Sequence, residues 1–363
     1  MRVLGPAVLL AAILLCPIQS PGSAQSVSLQ VIQAESRSPV SGAFVSLLGS
    51  DGRVLRNALT NDDGRFQFPL PDPGTFQIRA EMIGRETRLS PLLSVLEGEN
   101  RLIVLPLSVH AIPLKGIEIE ADGRCQLRPE EASEIYRVWE EARKALRVQE
   151  WTEEKELFRF QITSYDRELD ARARRERKQH RKETSEESRN PIRSLPVREL
   201  MAGGFVRALE DGGHQYFGPD ATVLLSDLFL DTHCFRLKRS WRNWGAIGLV
   251  FEPVGSPDFP DIEGVLWIDE DTAGLRFLEY SYTWAPWEEA RGVAGGRVEF
   301  ESMPNGAWVV SKWWIRMPIM VRGPEDDSPI WVDGIRESGG EVVQVSNRRP
   351  QGSVRDLPPV NPR

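Results

Sequence analysis

The chain has 363 residues, of which 40% are hydrophobic and 27% are charged. This composition is typical of a globular protein and excludes a disordered or fibrous one, and the length suits two or three domains. The formal net charge of -8 indicates an acidic surface, which repels phosphate backbones and argues against nucleic acid as a partner.

The first residues predict an export signal. The chain starts with a positive charge, residues 8–15 form an unbroken apolar run, and small residues follow at 22–24. Because the run is shorter than a membrane span, residues 1–24 are interpreted as a removable signal peptide. The alternative is lipidation at Cys16, which Leu15 disfavours because a lipobox places a small residue before its cysteine.

The rest of the sequence predicts no transmembrane span. No later segment is apolar over the length of a membrane helix. We therefore expect an exported protein that is periplasmic, associated with the outer membrane, or extracellular.

Two cysteines remain after the signal peptide, Cys125 and Cys234. Export would place them where disulfides are permitted, and their pairing would close a loop of about 110 residues and add about 4 to 5 kcal/mol of stability in the chain-entropy model. The alternative is two buried free thiols, because two cysteines alone do not establish a bond. We predict the bond, which would join the middle of the chain to its C-terminal part.

Residues 25–115 read as short strands separated by turns. Val27, Leu29 and Val31 alternate with polar residues, which is the pattern of a half-buried strand. Glycine, proline, asparagine and aspartate mark the turns at residues 38–42, 51–52, 60–64 and 71–74. Several short strands without helical periodicity predict a small β-sandwich.

Three motifs in this segment resemble those of the carboxypeptidase regulatory-like (transthyretin-like) domain. They are PVSGAFV at residues 39–45, TNDDGRF at 60–66 and PGTFQI at 73–78, in the family's order. The resemblance implies a seven-stranded Greek-key sandwich. It also implies a non-catalytic accessory module of the kind found in peptidases, outer-membrane receptors and polysaccharide-handling proteins.

The histidines do not support a carboxypeptidase. Zinc carboxypeptidases need an H-x-x-E pair and a third, distant histidine, and His180 with Glu183 spells that pair in a run of arginines where a cation would be repelled. Asp269 with Asp271 offers too few oxygens for calcium and fits a hairpin turn. No serine lies in a G-x-S-x-G elbow. We therefore predict no catalytic residue, no metal site and no cofactor.

Residues 116–200 predict a helix followed by charged strands. Pro129 suits the first turn of a helix, and apolar residues follow at helical spacing at Ile135, Val138, Trp139, Ala142 and Leu146. After Trp151 the alternation of Phe158, Phe160 and Ile162 with polar residues predicts a strand.

The segment 170–189 is open to two interpretations. Its arginines and glutamates form helices readily, but it has no apolar stripe, so a polar hairpin is equally compatible and we favour the strand. The basic run at 172–182 could contact anionic lipid or lipopolysaccharide. Nearby glutamates make a solvated surface the simpler interpretation.

Residues 201–346 predict a β module rich in tryptophan. The strands 264–268 and 275–282 flank an acidic turn, and the strands 297–300 and 308–316 flank a second turn. Successive hairpins predict a curved antiparallel sheet or half-barrel. This order of strands is similar to that of the outer-membrane lipoprotein carrier superfamily. Residues 347–363 are polar and rich in proline, and we predict a disordered tail.

Four tryptophans are candidate ligand contacts. Of the 11 tryptophans, all except Trp139 and Trp151 lie after residue 240. Trp313 and Trp314 are adjacent, so in a strand they point to opposite faces, and one of them could line a binding surface. Trp284 and Trp287 flank a proline in a predicted loop. Large rings that simply fill a small core are the alternative.

These observations predict a mainly β, non-enzymatic protein of the cell envelope. The leading hypothesis is that the C-terminal module binds an apolar lipid or a glycan while the sandwich acts as a spacer or docking unit. The alternative is a structural or assembly partner of an outer-membrane protein complex without a small ligand. A hydrolase built from scattered carboxylates is the third hypothesis.

Overall fold

The computed structural model describes residues 25–109, 126–127, 134–188, 191–210, 213–255, 259–283, 292–323 and 330–347. Within these ranges the chain is mainly β, with two N-terminal sheets, a few helices and a large antiparallel sheet that does not close into a barrel. The predicted fold class is therefore confirmed. The predicted signal peptide and the residues of the predicted tail after residue 347 lie outside the described residues.

The N-terminal part is a sandwich of two sheets. Its strands are β1 (Ser26–Gln33), β2 (Phe44–Gly49), β3 (Val54–Leu59), β4 (Arg65–Pro69), β5 (Gly74–Glu81), β6 (Arg88–Leu89), β7 (Leu93–Val95) and β8 (Asn100–Leu107). One sheet has the order β4-β1-β8 and the other β3-β2-β5-β6, with β7 also paired to β5. The expected seven strands become eight because the edge beside β5 is interrupted around Pro91, which lacks a backbone donor.

The sandwich core follows the alternation in the sequence. Val27, Leu29 and Val31 are all buried on β1. Gly64, in the central turn, has a φ of +70°, and a Cβ placed there would lie 2.3 Å from the carbonyl oxygen of Val31. The turn therefore requires glycine both for its backbone angle and for its close approach to β1.

The remaining elements begin with β9 (Gln126–Leu127) and the helix α1 (Glu134–Glu154). The next elements are β10 (Phe158–Asp170), β11 (Glu176–Ser188), α2 (Val197–Gly203), β12 (Val206–Ala208), β13 (His214–Tyr216), α3 (Ala221–Leu225) and α4 (Asp227–Thr232). The last strands are β14 (His233–Arg239), β15 (Ala246–Pro253), β16 (Ile262–Asp269), β17 (Leu275–Tyr282), β18 (Gly295–Ser302), β19 (Trp308–Arg322) and β20 (Ile330–Asn347).

Ten of these strands form one antiparallel sheet. Its order is β11-β10-β20-β19-β18-β17-β16-β15-β14-β9, and β12 pairs separately with β13. Segment 170–189 contributes a hairpin, since β10 pairs with β11 and the turn lies between them, which confirms the strand interpretation. β10 also pairs with β20, so the charged middle of the chain and the C-terminal strands share this sheet.

The short helices α2, α3 and α4 were not predicted. Each spans seven residues or fewer, which is too short for a helical period to appear in the sequence. Two are fixed by side-chain caps, because Asp220 accepts a hydrogen bond from the backbone of Val223 and Ser226 accepts one from that of Phe229. Local capping, rather than amphipathic periodicity, defines α3 and α4, whereas α2 has no side-chain cap.

Helix α1 packs against the inner face of the ten-stranded sheet. Val138, Trp139, Ala142 and Leu146 are buried, as their helical spacing predicts. The Trp139 and Phe235 rings lie 5.8 Å apart between α1 and β14. Within the described ranges no helix, α1 included, is apolar over enough of its length to cross a membrane.

The other side of α1 contacts the sandwich through buried charges. Glu81 on β5 is 2% exposed, and its carboxylate accepts hydrogen bonds of 2.9 and 3.2 Å from Arg147. Lys144 donates to Glu141 and to the backbone oxygen of Arg85, both at 2.7 Å. Helix α1 is therefore held by the sandwich on one side and by the large sheet on the other.

Two glycines bring the sandwich into direct contact with the large sheet. The backbones of Gly42 and Gly306 touch, and a Cβ at Gly306 would lie 2.5 Å from the Cα of Gly42. Both residues have positive φ, so each is needed for its turn as well as for the contact.

The last turn of α1 predicts a pH-dependent stability. Burial, together with the carboxylates of Asp220 and Glu150, raises the pKa of Glu153 to about 7. A carboxyl group whose pKa is raised in the folded protein makes its full contribution to stability below the pKa of the unfolded chain, near 4.5. That contribution is lost as the pH rises through the folded pKa of about 7, because the unfolded chain releases the proton more readily. Stability should therefore fall between pH 5 and pH 8 by an amount on the order of 3 kcal/mol.

Urea unfolding at several pH values tests this prediction. The variant Glu153→Gln should lose most of the decline and should be more stable than the unmodified protein at pH 8. The matched control is Glu154→Gln, whose side chain is 65% exposed and which should leave the pH dependence in place. A profile for Glu153→Gln that parallels the unmodified protein would refute the assignment.

Candidate functional site

The two faces of the ten-stranded sheet have different chemistry. Residues in register share a face, and the register aligns Leu249, Leu266, Leu278, Val298 and Trp313 in one row across five strands. This inner row belongs to the core beneath α1. The neighbouring row faces the other way and carries Val250, Val265, Glu279, Arg297 and Trp314 in the same order of strands.

A groove of about 400 Å³ runs along the outer face. The wall on one side is the segment from Gly292 to Gly296. Six charged side chains and one tryptophan also line it: Arg236, Lys238, Glu252, Glu263, Glu279, Arg316 and Trp314. The combination of an aromatic ring with hydrogen-bonding groups is the chemistry of a polar-ligand site rather than that of a lipid pocket.

Arg297 organises the centre of the outer face. Its guanidinium carbon lies 3.6 Å from the centroid of the Phe277 ring, and its nitrogens donate to Glu279 at 2.6 Å and to Glu299 at 2.8 Å. Trp267 donates its indole N–H to Glu279 at 3.3 Å. These contacts fix the orientation of the Glu279 carboxylate at the groove.

A buried carboxylate fixes the adjacent part of the groove. Glu337 is fully buried and accepts hydrogen bonds from Tyr165 at 3.0 Å, Arg167 at 2.8 Å and Arg316 at 2.7 Å. Burial first, and then the negative charge of Glu337, raise the pKa of Tyr165 well above its ordinary value. Arg316 in turn lies 4.3 Å from the ring centroid of Trp314, so Glu337 holds the arginine that packs on this tryptophan.

The predicted tryptophans lie in different places. Trp313 is on the inner face among the core residues, while Trp314 lines the outer groove, so the adjacent rings are on opposite faces as expected. Trp284 and Trp287 lie outside the described residues. The structure therefore brings one of the four candidates to the groove.

One cysteine of the predicted disulfide lies near the edge of the same sheet. Cys234 on β14 is paired with Leu127, and Phe235 is paired with Gln126. Cys125 lies outside the described residues, but it is bonded directly to Gln126.

The H-x-x-E pair of the sequence lies on a strand of the large sheet. His180 and Glu183 are on β11 and pair in register with Asp166 and Thr163 of β10. Within the described part of the chain, no three side chains of His, Cys, Asp or Glu are grouped to hold a metal ion.

A second cavity of about 380 Å³ lies where the sandwich, α1 and the large sheet meet. Its lining includes Phe44, Met82, Ile83, Val148 and Trp308. The side chains are more apolar than those of the outer groove, so this cavity is the better fit for an apolar ligand.

Sequence reasoning missed the charged residues of the outer face. Glu279 and Arg316 each lie within a strand that is otherwise largely apolar, whereas Arg297 and Glu337 lie in strands with several other polar residues. Charged residues at alternate positions of such strands were the available signal, since a strand buried on both faces would not contain them. The partners of each charge depend on strand order, which the sequence alone does not supply.

Comparisons with known proteins concern the sandwich most directly. Residues 26–108 match the carboxypeptidase regulatory-like domain family. The sandwich is also similar to the 5-hydroxyisourate hydrolase of Klebsiella pneumoniae, with 24% identity, 23% of this chain and 85% of that chain covered, and a TM-score of 0.20. A search of curated protein sequences found no match.

Two further solved structures are similar over longer stretches. One is a DUF1329 family protein from Desulfovibrio piger that is 9% identical in sequence. The match covers 58% of this chain and 94% of that protein's chain, with a TM-score of 0.27. The other is a streptococcal ancillary pilin that is 10% identical in sequence. The match covers 66% of this chain and 61% of the pilin chain, with a TM-score of 0.23. The family match covers the sandwich and none of the ten-stranded sheet.

The Glu337 cluster predicts an ordered series of stability losses. Glu337→Gln removes the buried carboxylate that Arg167 and Arg316 share. Because both arginines are partly exposed, it should lower the free energy of unfolding by about 3 kcal/mol, the low end of the cost of breaking a buried ion pair. Tyr165→Phe removes one hydrogen bond and should cost about 1 to 2 kcal/mol. The control Glu341→Gln, on the same strand and 55% exposed, should cost less than about 1 kcal/mol. Urea denaturation would contradict the cluster's role if Glu337→Gln cost no more than the control.

Proposed function

We propose that this chain, whose residues 26–108 form a carboxypeptidase regulatory-like domain, is a non-enzymatic exported protein of the cell envelope that binds a glycan. The binding site is the groove on the outer face of the ten-stranded sheet. The sandwich acts as an accessory module that is fixed to the sheet through α1.

The observation that carries the proposal is the position of Trp314 in a groove lined by charged side chains. Sugar rings have apolar faces that pack on aromatic rings and hydroxyl groups that need hydrogen-bonding partners. Arg236 and Glu252 are paired at 2.8 Å and stay 39% and 37% exposed, so their remaining hydrogen-bonding capacity faces the groove. An apolar ligand would desolvate these charges without offering them hydrogen bonds in return.

Export is supported by the sequence of the first residues. A positive start, an apolar run at 8–15 and small residues at 22–24 fit a signal peptide. The proposed Cys125–Cys234 disulfide fits the same location, because structural disulfides form in oxidising compartments.

A second candidate function is an assembly partner of an outer-membrane complex. The observation in its favour is a set of exposed leucines on the sandwich: Leu92, Leu96 and Leu102 are 62%, 70% and 71% exposed. Leu102 lies on β8, which is the edge strand of its sheet, and edge strands and exposed apolar groups are common sites of protein association.

Binding to an array of bacterial cell-envelope glycans tests the first candidate. Trp314→Ala should weaken binding to any glycan that the protein retains by at least about tenfold, because it removes the ring against which the sugar packs. The control is Trp331→Ala, which removes a tryptophan that is 43% exposed and does not line the groove. Near-ultraviolet circular dichroism would establish that both variants are folded.

Equal weakening by the two variants, or no retained glycan at all, would count against the groove as the site. Capture of an outer-membrane protein that is lost on Leu102→Lys, with Trp314→Ala still binding that protein, would favour the assembly function instead.

The disulfide is tested by mass spectrometry of the exported protein without reduction. The proposal predicts a cross-linked peptide that contains Cys125 and Cys234 and that disappears on reduction. The control variant Cys234→Ser should leave Cys125 reactive toward a thiol reagent. Free thiols at both positions in the exported, unreduced protein would refute the bond.

A further inference from the structure

Two tryptophans are exposed at one tip of the large sheet. The connection between β14 and β15 contains a single turn of 3-10 helix at Trp241–Asn243. Trp241 is 83% exposed and Trp244 is 89% exposed. Tryptophan is on average one of the more buried residue types, so two rings in solvent three residues apart are an unusual feature. We call residues 238–245 the tryptophan loop.

The tryptophan loop is held in shape by its own hydrogen bonds. Ser240 accepts a hydrogen bond from the backbone of Arg242 at its start. At its end, Arg276 donates to the carbonyl oxygens of Trp244 at 3.2 Å and Gly245 at 3.0 Å. The same guanidinium is paired with Asp269 at 2.6 Å. The rings therefore project from an ordered base rather than from a loose segment.

Exposed basic side chains lie on the same short stretch of chain as the two rings. Lys238 and Arg242 are exposed, and the Arg242 guanidinium carbon lies 5.2 Å from the Trp241 ring centroid. The acidic groups nearby are Asp269, which is paired with Arg276, Glu270, which is paired with Arg239, and the exposed Asp271 of the adjacent turn. The tip thus combines an indole pair with cationic groups, although the whole chain carries a formal charge of -8.

We infer that the tryptophan loop attaches the protein to the surface of an anionic lipid bilayer, with Trp241 and Trp244 in the interfacial region. Indole rings are favoured at the level of the lipid headgroups because one part of the ring is apolar and its N–H is polar. Lysine and arginine beside them meet anionic headgroups at the same depth.

The size of the tip favours a bilayer over a protein partner. A stable protein interface buries about 1,200 Å² or more, whereas this hairpin tip presents two rings and a few flanking side chains. A bilayer needs no matching surface, and two inserted rings with basic neighbours are sufficient for reversible attachment. Apart from Lys238, which also lines the groove, the tryptophan loop is separate from the Trp314 site, and this inference does not depend on glycan binding.

Co-sedimentation with lipid vesicles tests the inference. The probes are vesicles of phosphatidylcholine alone and of phosphatidylcholine mixed with phosphatidylglycerol. The full exported chain should bind the mixed vesicles, and its tryptophan fluorescence should shift to shorter wavelength. The double variant Trp241→Ala, Trp244→Ala should bind them at least about tenfold more weakly.

Two further variants sharpen the test. Trp331→Ala removes an exposed tryptophan from a different strand and should bind the mixed vesicles like the unmodified protein. Arg242→Gln should weaken binding to the mixed vesicles more than to phosphatidylcholine alone, because it removes a headgroup contact. The inference is overturned if the double variant binds the mixed vesicles as well as the unmodified protein does, or if the unmodified protein does not bind them.

Discussion

The position of helix α1 between two β structures is the constraint on which the rest of the architecture depends. One side of the helix fills the inner face of the ten-stranded sheet, where Trp139 meets Phe235. The other side is tied to the sandwich by the pair Glu81–Arg147, by the hydrogen bond from Lys144 to the backbone oxygen of Arg85, and by the one from the backbone of Gly84 to Glu141. Breaking a buried pair is costly because it leaves a desolvated charge, so these contacts fix the two parts of the chain in one relative orientation.

This placement decides where a ligand can bind. Because α1 packs against the inner face, Trp313 becomes part of the core. Two cavities could hold a ligand. The groove beside Trp314 lies on the outer face, and the cavity beside Phe44 and Trp308 lies where the sandwich, α1 and the large sheet meet. The charged lining of the groove and the apolar lining of the cavity suit different ligands, and the proposed glycan site uses the first.

Much of the local structure could be predicted from the sequence, because it depends on short-range patterns. The turn at Gly64, the buried face of α1 and the hairpin that joins β16 to β17 all follow from turn residues or from periodicity. The site could not be predicted in the same way. Glu337 meets Arg167 across 170 positions in sequence, and this contact exists only because β10 pairs with β20. The short helices were missed because each is too short to show a helical period, and two of them are defined by capping at Asp220 and Ser226.

The most direct test of the central claim compares two probes of thermal unfolding in the same sample. All the tryptophans of the described chain lie from Trp139 onward, so their fluorescence reports on α1 and the large sheet, whereas hydrogen exchange of β1 to β8 reports on the sandwich. If α1 couples the two parts, both probes should show a single transition at the same temperature, and Arg147→Ala should separate them. Two separate transitions in the unmodified protein would contradict the account.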